Sequence, residues 1–289
     1  MNSKISCSDL EQTKCPMCSS NDNIALHNFD PVNVVKCKMC GLIYLNPRLN
    51  EEYIYKHYAE DEFYNNYTTG IGYEIQEHAL RGTFEKFFKI LDKRIHTGGR
   101  LLEIGCGFGY LLDISKKYFS YCVGTDFSES AVDIAKNYCD EVYCGGLDAI
   151  PENTGKFDFI IAFSVLEHVY NPNEFIKEIS SNLKTGGTLI ISTPDVGSYW
   201  SKILRKKWPF YIPTEHVCLY KKDTLEYLFK QNNFTVINSF SFSHGWPLVA
   251  FLSKVGLRKI AKHIANKPIA KKTIYIPNTI ICTYGIKNN

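Results

Sequence analysis

Leu101-Leu102-Glu103-Ile104-Gly105-Cys106-Gly107-Phe108-Gly109-Tyr110-Leu111-Leu112 is an apolar run that breaks into three alternating glycines and resumes as an apolar segment. It reads as strand, tight turn, helix. Glycine at every second position lets the backbone take positive φ and come within contact distance of a ligand, because no Cβ intervenes. The helix that follows turns its free N–H groups toward the same place, which favours a carboxylate or phosphate there. A dinucleotide-binding turn, Gly-x-Gly-x-x-Gly, would need its third glycine at position 110, where Tyr110 stands.

Three further segments follow in order. Cys122-Val123-Gly124-Thr125-Asp126-Phe127 reads as a second strand ending in a carboxylate, where an open α/β sheet offers a hydrogen-bond acceptor to ribose hydroxyls. Gly146-Leu147-Asp148-Ala149-Ile150-Pro151 reads as a loop. The strand Phe157 to Phe163 then runs through Ser164-Val165-Leu166-Glu167-His168 and a helix to the strand ending at Thr193-Pro194. Together with Glu-x-Gly-x-Gly-x-Gly (Glu103, Gly105, Gly107, Gly109), this series resembles the class I S-adenosylmethionine (SAM) methyltransferases of the ubiquinone-biosynthesis type, over residues 98–240. The resemblance implies that the glycine turn lies against the amino-acid part of SAM. It also implies that Asp148 receives the adenine amino group, and that Phe127, Ala149 and Ser164 complete the cofactor contacts with Asp126.

Strands near 100–105, 120–125, 141–144, 157–163 and 188–193 alternate with helices, which predicts a mostly parallel, Rossmann-like doubly wound α/β sheet. Phe234 to Phe242 and Asn278 to Tyr284 would close it at seven strands, and the resemblance implies that the last runs antiparallel.

A chain of 289 residues with 45% hydrophobic content can bury one large core plus a small appendage. No run of eighteen apolar residues is present, so no membrane span is expected and the chain reads as cytoplasmic. Eleven cysteines scattered through an α/β pattern read as reduced thiols. The net charge of +3 hides an asymmetry: the residues after Glu226 include nine Lys or Arg and no carboxylate side chain, which would suit an anionic partner or a solvated face.

Residues 1–13 carry no periodic pattern and are expected to be disordered. Cys15-Pro16-Met17-Cys18 and Cys37-Lys38-Met39-Cys40 are two Cys-x-x-Cys knuckles, and two such knuckles complete a tetrahedral four-cysteine site. A small zinc ribbon over 1–48 follows, its Zn²⁺ structural because four thiolates leave no open coordination position. Residues 49–97 read as a helical cover, with Phe84, Phe87, Phe88, Leu91 and Ile95 at helical spacing. In the family such a cover brings an aromatic side chain to SAM, and Tyr64 or Tyr73 would serve. The catalytic domain then spans 98–289 with two inserts. Asp195 to Lys222 is rich in aromatics and should overhang the reacting methyl; His244 to Lys272 reads as a basic amphipathic helix that can act as a lid, hold an anionic substrate or touch a membrane surface.

Methyl transfer from a sulfonium needs mainly positioning, plus a base where the acceptor is a hydroxyl or carbon acid. Two clusters offer a base. Glu167-His168 follows the fourth strand; quinone-type enzymes carry an acidic-x-x-Glu-His metal cluster there, and Ser164 replaces the first acid. Glu215-His216 lies in the aromatic insert and is similar to the Glu-His pair of zinc-ribbon sugar C-methyltransferases. His216 is the candidate base, with Glu215 and His168 beside it, because imidazole is the side chain most easily poised near neutral pH. The function expected is O-methylation of a small molecule or a glycan or nucleotide-sugar precursor. An RNA base methyltransferase is the alternative, on the strength of the cysteine knuckles and the basic end, and a non-catalytic SAM-binding protein is the third reading.

Overall fold

The computed structural model describes residues 6–53 and 73–289. At the N-terminal end β1 (Leu10–Glu11) pairs antiparallel with β5 (Arg48–Leu49), while β2 (Asn23–Phe29), β3 (Val32–Cys37) and β4 (Ile43–Leu45) form an antiparallel meander. The expectation of disorder through residue 13 is therefore corrected from Cys7 onward. Glu11 anchors that segment by accepting a 2.7 Å bond from Nε of the nearly buried Arg48, a cation that needs a counter-charge once withdrawn from water. The two knuckles converge: Sγ of Cys15 lies 3.5 Å from that of Cys40, Sγ of Cys18 lies 3.5 Å from that of Cys37, and all four are within 4.8 Å of one another. Four thiols so placed are the donor set of a tetrahedral zinc or iron site. Tyr64 lies outside the described residues, as does the side chain of Tyr73.

The rest of the chain alternates. In order come α1 (Tyr73–Leu91), β6 (Arg100–Ile104), α2 (Tyr110–Ser115), β7 (Tyr121–Asp126), α3 (Glu129–Ala135), β8 (Glu141–Cys144), β9 (Phe157–Phe163), α4 (Pro172–Asn182) and β10 (Leu183–Pro194). Then follow α5 (Tyr199–Leu204), β11 (Cys218–Leu219), α6 (Lys222–Gln231), β12 (Phe234–Pro247), α7 (Leu248–Lys254), α8 (Arg258–Ile264) and β13 (Thr273–Lys287). Seven strands make one sheet in the order β12-β13-β10-β9-β6-β7-β8, with β13 antiparallel to both neighbours and the other described pairings parallel. This is the Rossmann-like arrangement expected.

Its strands are apolar on both faces because helices cover both. Leu101, Phe159, Ile161, Phe163 and Ile190 point to the α1 side, and Leu102, Ile104, Ile160, Leu189 and Ile191 pack with Ile176, Ile179, Leu225 and Leu228. On the α1 side Phe87, fully buried, meets Phe163 and Phe242 with ring centroids 5.6 Å away in each case, and Phe84 meets Phe163 at 5.0 Å.

The inserts depart from the simplest reading. Residues 244–247 continue β12, and the expected single amphipathic helix is two short ones, α7 and α8. Gly256 breaks it: at φ +87° it takes a left-handed conformation that no helix continues, and the N–H groups of Gly256 and Leu257 turn back to Ser253 and Leu252. From the first insert, β11 pairs antiparallel with β4 and so becomes the fourth strand of the ribbon's sheet, ordered β11-β4-β3-β2. The Tyr211 ring also meets the rings of His27 at 5.3 Å and Phe29 at 5.9 Å on β2. Among the described residues no helix is long and apolar enough to cross a membrane.

Two outcomes are expected. Phe87→Ala should lower stability by about 3–5 kcal/mol, read from urea unfolding, because it empties a fully packed aromatic site. Elemental analysis should find one zinc per chain, lost in Cys37→Ser together with the order of β4 and β11, which amide exchange would report; a metal-free chain of full stability would refute the assignment.

Candidate active site

The glycine turn sits at the carboxyl end of β6, where a doubly wound sheet opens its crevice. Gly105, Gly107 and Gly109 have φ of 69°, 51° and 79°, so all three need the conformation that glycine alone takes without strain. A Cβ on Gly105 would also come within 2.6 Å of Cγ2 of Val165, which keeps that part of the turn bare. Asp126, at the carboxyl end of β7, holds the turn in place: its Oδ2 accepts from the Gly107 N–H at 2.8 Å and its Oδ1 from the Ser128 N–H at 3.0 Å.

A cavity opens on this turn, lined by Glu103, Gly105, Gly107 and Ser164 and also by His168, His216, His244, Trp246 and Lys254. Three of its lining residues each carry a buried polar atom without a partner: Gln76 Nε2 from α1, Glu103 Oε2 from β6 and His244 Nδ1 from β12. Buried polar groups are almost always hydrogen-bonded, so three orphans around one cavity mark a place where a ligand completes the bonding. Burial, and then the charge of Asp126, push the Glu103 carboxyl well above the usual range. A cation brought to it would reverse that shift. SAM carries an ammonium and a sulfonium, so the bare glycines and the orphaned carboxyl oxygen fit it.

Ser164 follows β9 with φ 55°, unusual for a residue with a side chain, and its N–H donates to the Ser192 carbonyl at 2.7 Å. Phe127, exposed, and Asp148 flank Gly146: a Cβ there would meet Asp148 Oδ1 at 3.0 Å and the Phe127 ring at 3.5 Å. Ala149 ends the adjoining 3-10 turn Leu147–Ala149, and none of the three residues lines the cavity. The structure thus brings the expected cofactor residues into two adjoining groups.

The two candidate bases come together from separate segments. His168 ends the 3-10 turn Leu166–His168 after β9, and His216 reaches over from the aromatic insert to put the ring centroids 4.9 Å apart, edge to face. His168 Nδ1 lies 3.1 Å from the Glu215 carbonyl and His216 Nδ1 lies 2.8 Å from the Phe210 carbonyl. Because a carbonyl only accepts, these contacts assign the ring protons to Nδ1. Burial lowers the pKa of His168 to about 4 and that of His216 well below the usual value, with His168 adding to the effect on His216, so both rings are neutral at pH 7. Glu167 is buried beneath them; burial raises it to about 7, and its Oε2 accepts from Thr193 Oγ1 at 2.8 Å. Donor atoms of Glu167, His168 and His216 all lie within 4.8 Å of one another, close enough to share one metal ion.

Glu215 does not line the cavity. Its backbone carbonyl orients His168, while its buried side chain, raised to about 7 by burial, faces the field of Lys254. Gln76, His244, Trp246 and Lys254 were not among the residues expected here. A strand read to end at Phe242 stops short of His244 and Trp246, and Lys254 stands in a basic run that looks like a solvated face.

Curated relatives share the centre of this chain. Ubiquinone biosynthesis O-methyltransferase of Coxiella burnetii (strain RSA 493 / Nine Mile phase I) is 32% identical over 112 residues, which are 36% of this chain and 48% of the relative. The enzyme of the same name from Maricaulis maris is 29% identical over 121 residues, 39% of this chain and 48% of the relative. The chain spans about half the length of these curated relatives. Magnesium protoporphyrin IX methyltransferase from Synechocystis PCC 6803, solved with bound SAH, superposes with a TM-score of 0.55 at 13% identity, covering 83% of this chain and all of the other. A SAM-dependent methyltransferase from Thermotoga maritima superposes with a TM-score of 0.53 at 19% identity, over 82% of this chain and 99% of the other. Both show the same fold. The sequence profile of the family described as "Methyltransferase domain" matches residues 73–239, from the start of α1 into β12 and more than half of the chain, so the chain belongs to that family.

Proposed function

We propose that this methyltransferase acts on an oxygen of a small-molecule or glycan-precursor acceptor, with His216 as the base. The observation that carries the reading is His216 itself. Its Nδ1–H is committed to the Phe210 carbonyl, which leaves Nε2 as the acceptor, on a ring that lines the same cavity as the glycine turn. The relatives named as O-methyltransferases support oxygen as the methylated atom.

Bound SAM supplies a methyl group already activated on a sulfonium. Glu103, Gly105, Gly107 and Gly109 would hold its amino-acid end, Asp126 its ribose, and Phe127, Asp148 and Ala149 its adenine, with Ser164 at the junction. His216 takes the acceptor's proton at Nε2. Glu215 and His168 position it, through the carbonyl bond to His168 and the packing of the two imidazoles. Phe210 and Ile212 close the cavity on the insert side and exclude water.

One observation favours a second reading of the same step. The shared reach of Glu167, His168 and His216 would let them hold a divalent ion, which would lower the acceptor hydroxyl's pKa in place of a histidine base. Two imidazoles and one carboxylate suit zinc, iron or manganese better than magnesium, which prefers oxygen donors. Against an RNA base acceptor, β9 runs into Phe163-Ser164-Val165-Leu166, without the Asn/Asp-Pro-Pro-aromatic motif that holds a flipped base in amino-methylating enzymes.

Asp126→Ala is expected to weaken SAM binding by about 1.5–3 kcal/mol or more, since it removes a charged acceptor and frees the Gly107 N–H of the turn. Calorimetry decides this, and unchanged affinity would overturn the cofactor site. His216→Gln should leave SAM affinity intact and lower turnover by about 10²-fold or more. A base must be unprotonated to act. With the His216 pKa held well below 6.5, the rate should stay level through pH 6.5 and fall only in more acidic solution. A rate that halves near pH 7 would point to Glu167 or Glu215 instead. Loss of activity on chelation, restored by one metal, would favour the shared ion.

A further inference from the structure

Lys254 is the last residue of α7, in a stretch of basic residues most of which face solvent. Its stem is half-buried, and its ammonium turns inward to line the cavity, 4.6 Å from the centroid of the Trp246 ring. No described carboxylate lies within 4 Å of that ammonium, and it donates no hydrogen bond to a described residue. His244 stands on the same indole, its ring centroid 4.7 Å from that of Trp246, and its buried Nδ1 has no partner. A charged ammonium and an imidazole nitrogen that can donate in one tautomer thus both line this cavity without a hydrogen-bond partner among the described residues. His244 and Trp246 belong to β12, across β13, β10 and β9 from β6 and its glycine turn.

We propose that Lys254 and His244 form a subsite for an anionic group on the methyl acceptor, a carboxylate or a phosphate. The subsite rests on the methyltransferase reading of the cavity and adds the acceptor's class: an acid whose flat or apolar part lies along Phe210 and Trp246, two rings 5.8 Å apart.

A buried ammonium is costly without a counter-charge, and cation–π contact with Trp246 offsets that cost only in part. Glu215 contributes a favourable field without forming an ion pair with the ammonium. His168 and His216 are neutral, Glu167 is bonded to Thr193, and Glu215 lies beyond 4 Å. Burial lowers Lys254 to about 8 despite Glu215, so the ammonium form still prevails at pH 7, and an incoming anion would stabilise it further.

The test is equilibrium binding of benzoate, phenyl phosphate and benzamide to the full chain saturated with S-adenosylhomocysteine, followed by calorimetry. One of the two anions should bind about tenfold or more tightly than the neutral amide, a difference of ~1.4 kcal/mol. Whichever anion binds better assigns the group as carboxylate or phosphate. Lys254→Met should abolish the preference and leave S-adenosylhomocysteine affinity unchanged; Lys254→Gln, which loses the charge and keeps a polar end, serves if the first variant does not fold. Equal binding of anion and amide, absence of binding by all three, or a preference that survives both substitutions would overturn the subsite. Failure of the wild-type chain to bind S-adenosylhomocysteine would overturn the cofactor reading and the subsite with it, whereas that binding without an anion preference would overturn the subsite alone.

Discussion

Two residues of backbone pairing hold the His216 side of the cavity in place. β11 begins two positions after His216 and lies along β4, and the Leu45 N–H reaches the Val217 carbonyl at 3.0 Å. The loop that carries His216 therefore ends on the edge of the cysteine ribbon rather than on the catalytic sheet. A loop free to move would lose the position of His216 over the cavity, and an error of about 1 Å in a reacting group can cost ~10²-fold in rate. The ribbon removes that freedom. Its outer strand adds His27 and Phe29 against Tyr211, and Arg48 stacks on Tyr170 at 4.2 Å just after the His168 turn. The segments that carry both histidines are thus braced by the same appendage.

The cavity shows one electrostatic rule applied to unlike groups. Withdrawal from water disfavours whichever form is charged, so Glu103, Glu167 and Glu215 rise while His168, His216, His244 and Lys254 fall. The outcome is a site with neutral imidazoles, carboxyls of raised pKa and an amine whose pKa is lowered. Each of these shifts is reversed where a ligand brings the complementary charge.

Much of the fold was legible because residue type itself encodes the constraint. Gly105, Gly107 and Gly109 announce positive φ before any coordinates exist, and doubly apolar runs such as Phe159 to Phe163 announce a sheet covered on both faces. The spacing of Cys15, Cys18, Cys37 and Cys40 announces their convergence in the same way. The acceptor side was less legible. His216 was visible as a histidine in an aromatic loop, but its neighbour Glu215 contributes a carbonyl, which every residue has and no sequence pattern marks. Lys254 was hidden among similar lysines, since only the break at Gly256 and the packing of α7 separate an inward ammonium from outward ones. β1 was missed because two residues are too few for any periodicity, and a partner 37 positions away, Arg48, orders them.

The β4–β11 seam also sets an order of events during synthesis. β4 and β11 stand more than 170 positions apart, so the ribbon's fourth strand leaves the ribosome only after five strands of the catalytic sheet, β6 to β10, have already been made. Until then β4 presents an unpaired edge, a site where another chain can add itself. Binding of metal by the four cysteines needs no residue beyond Cys40, so the knuckles can close early and hold the short meander compact during this wait. The nascent chain is consequently most exposed to wrong pairing in the interval between Leu45 and Cys218, and the short length of β4, three residues, limits the damage that interval can do.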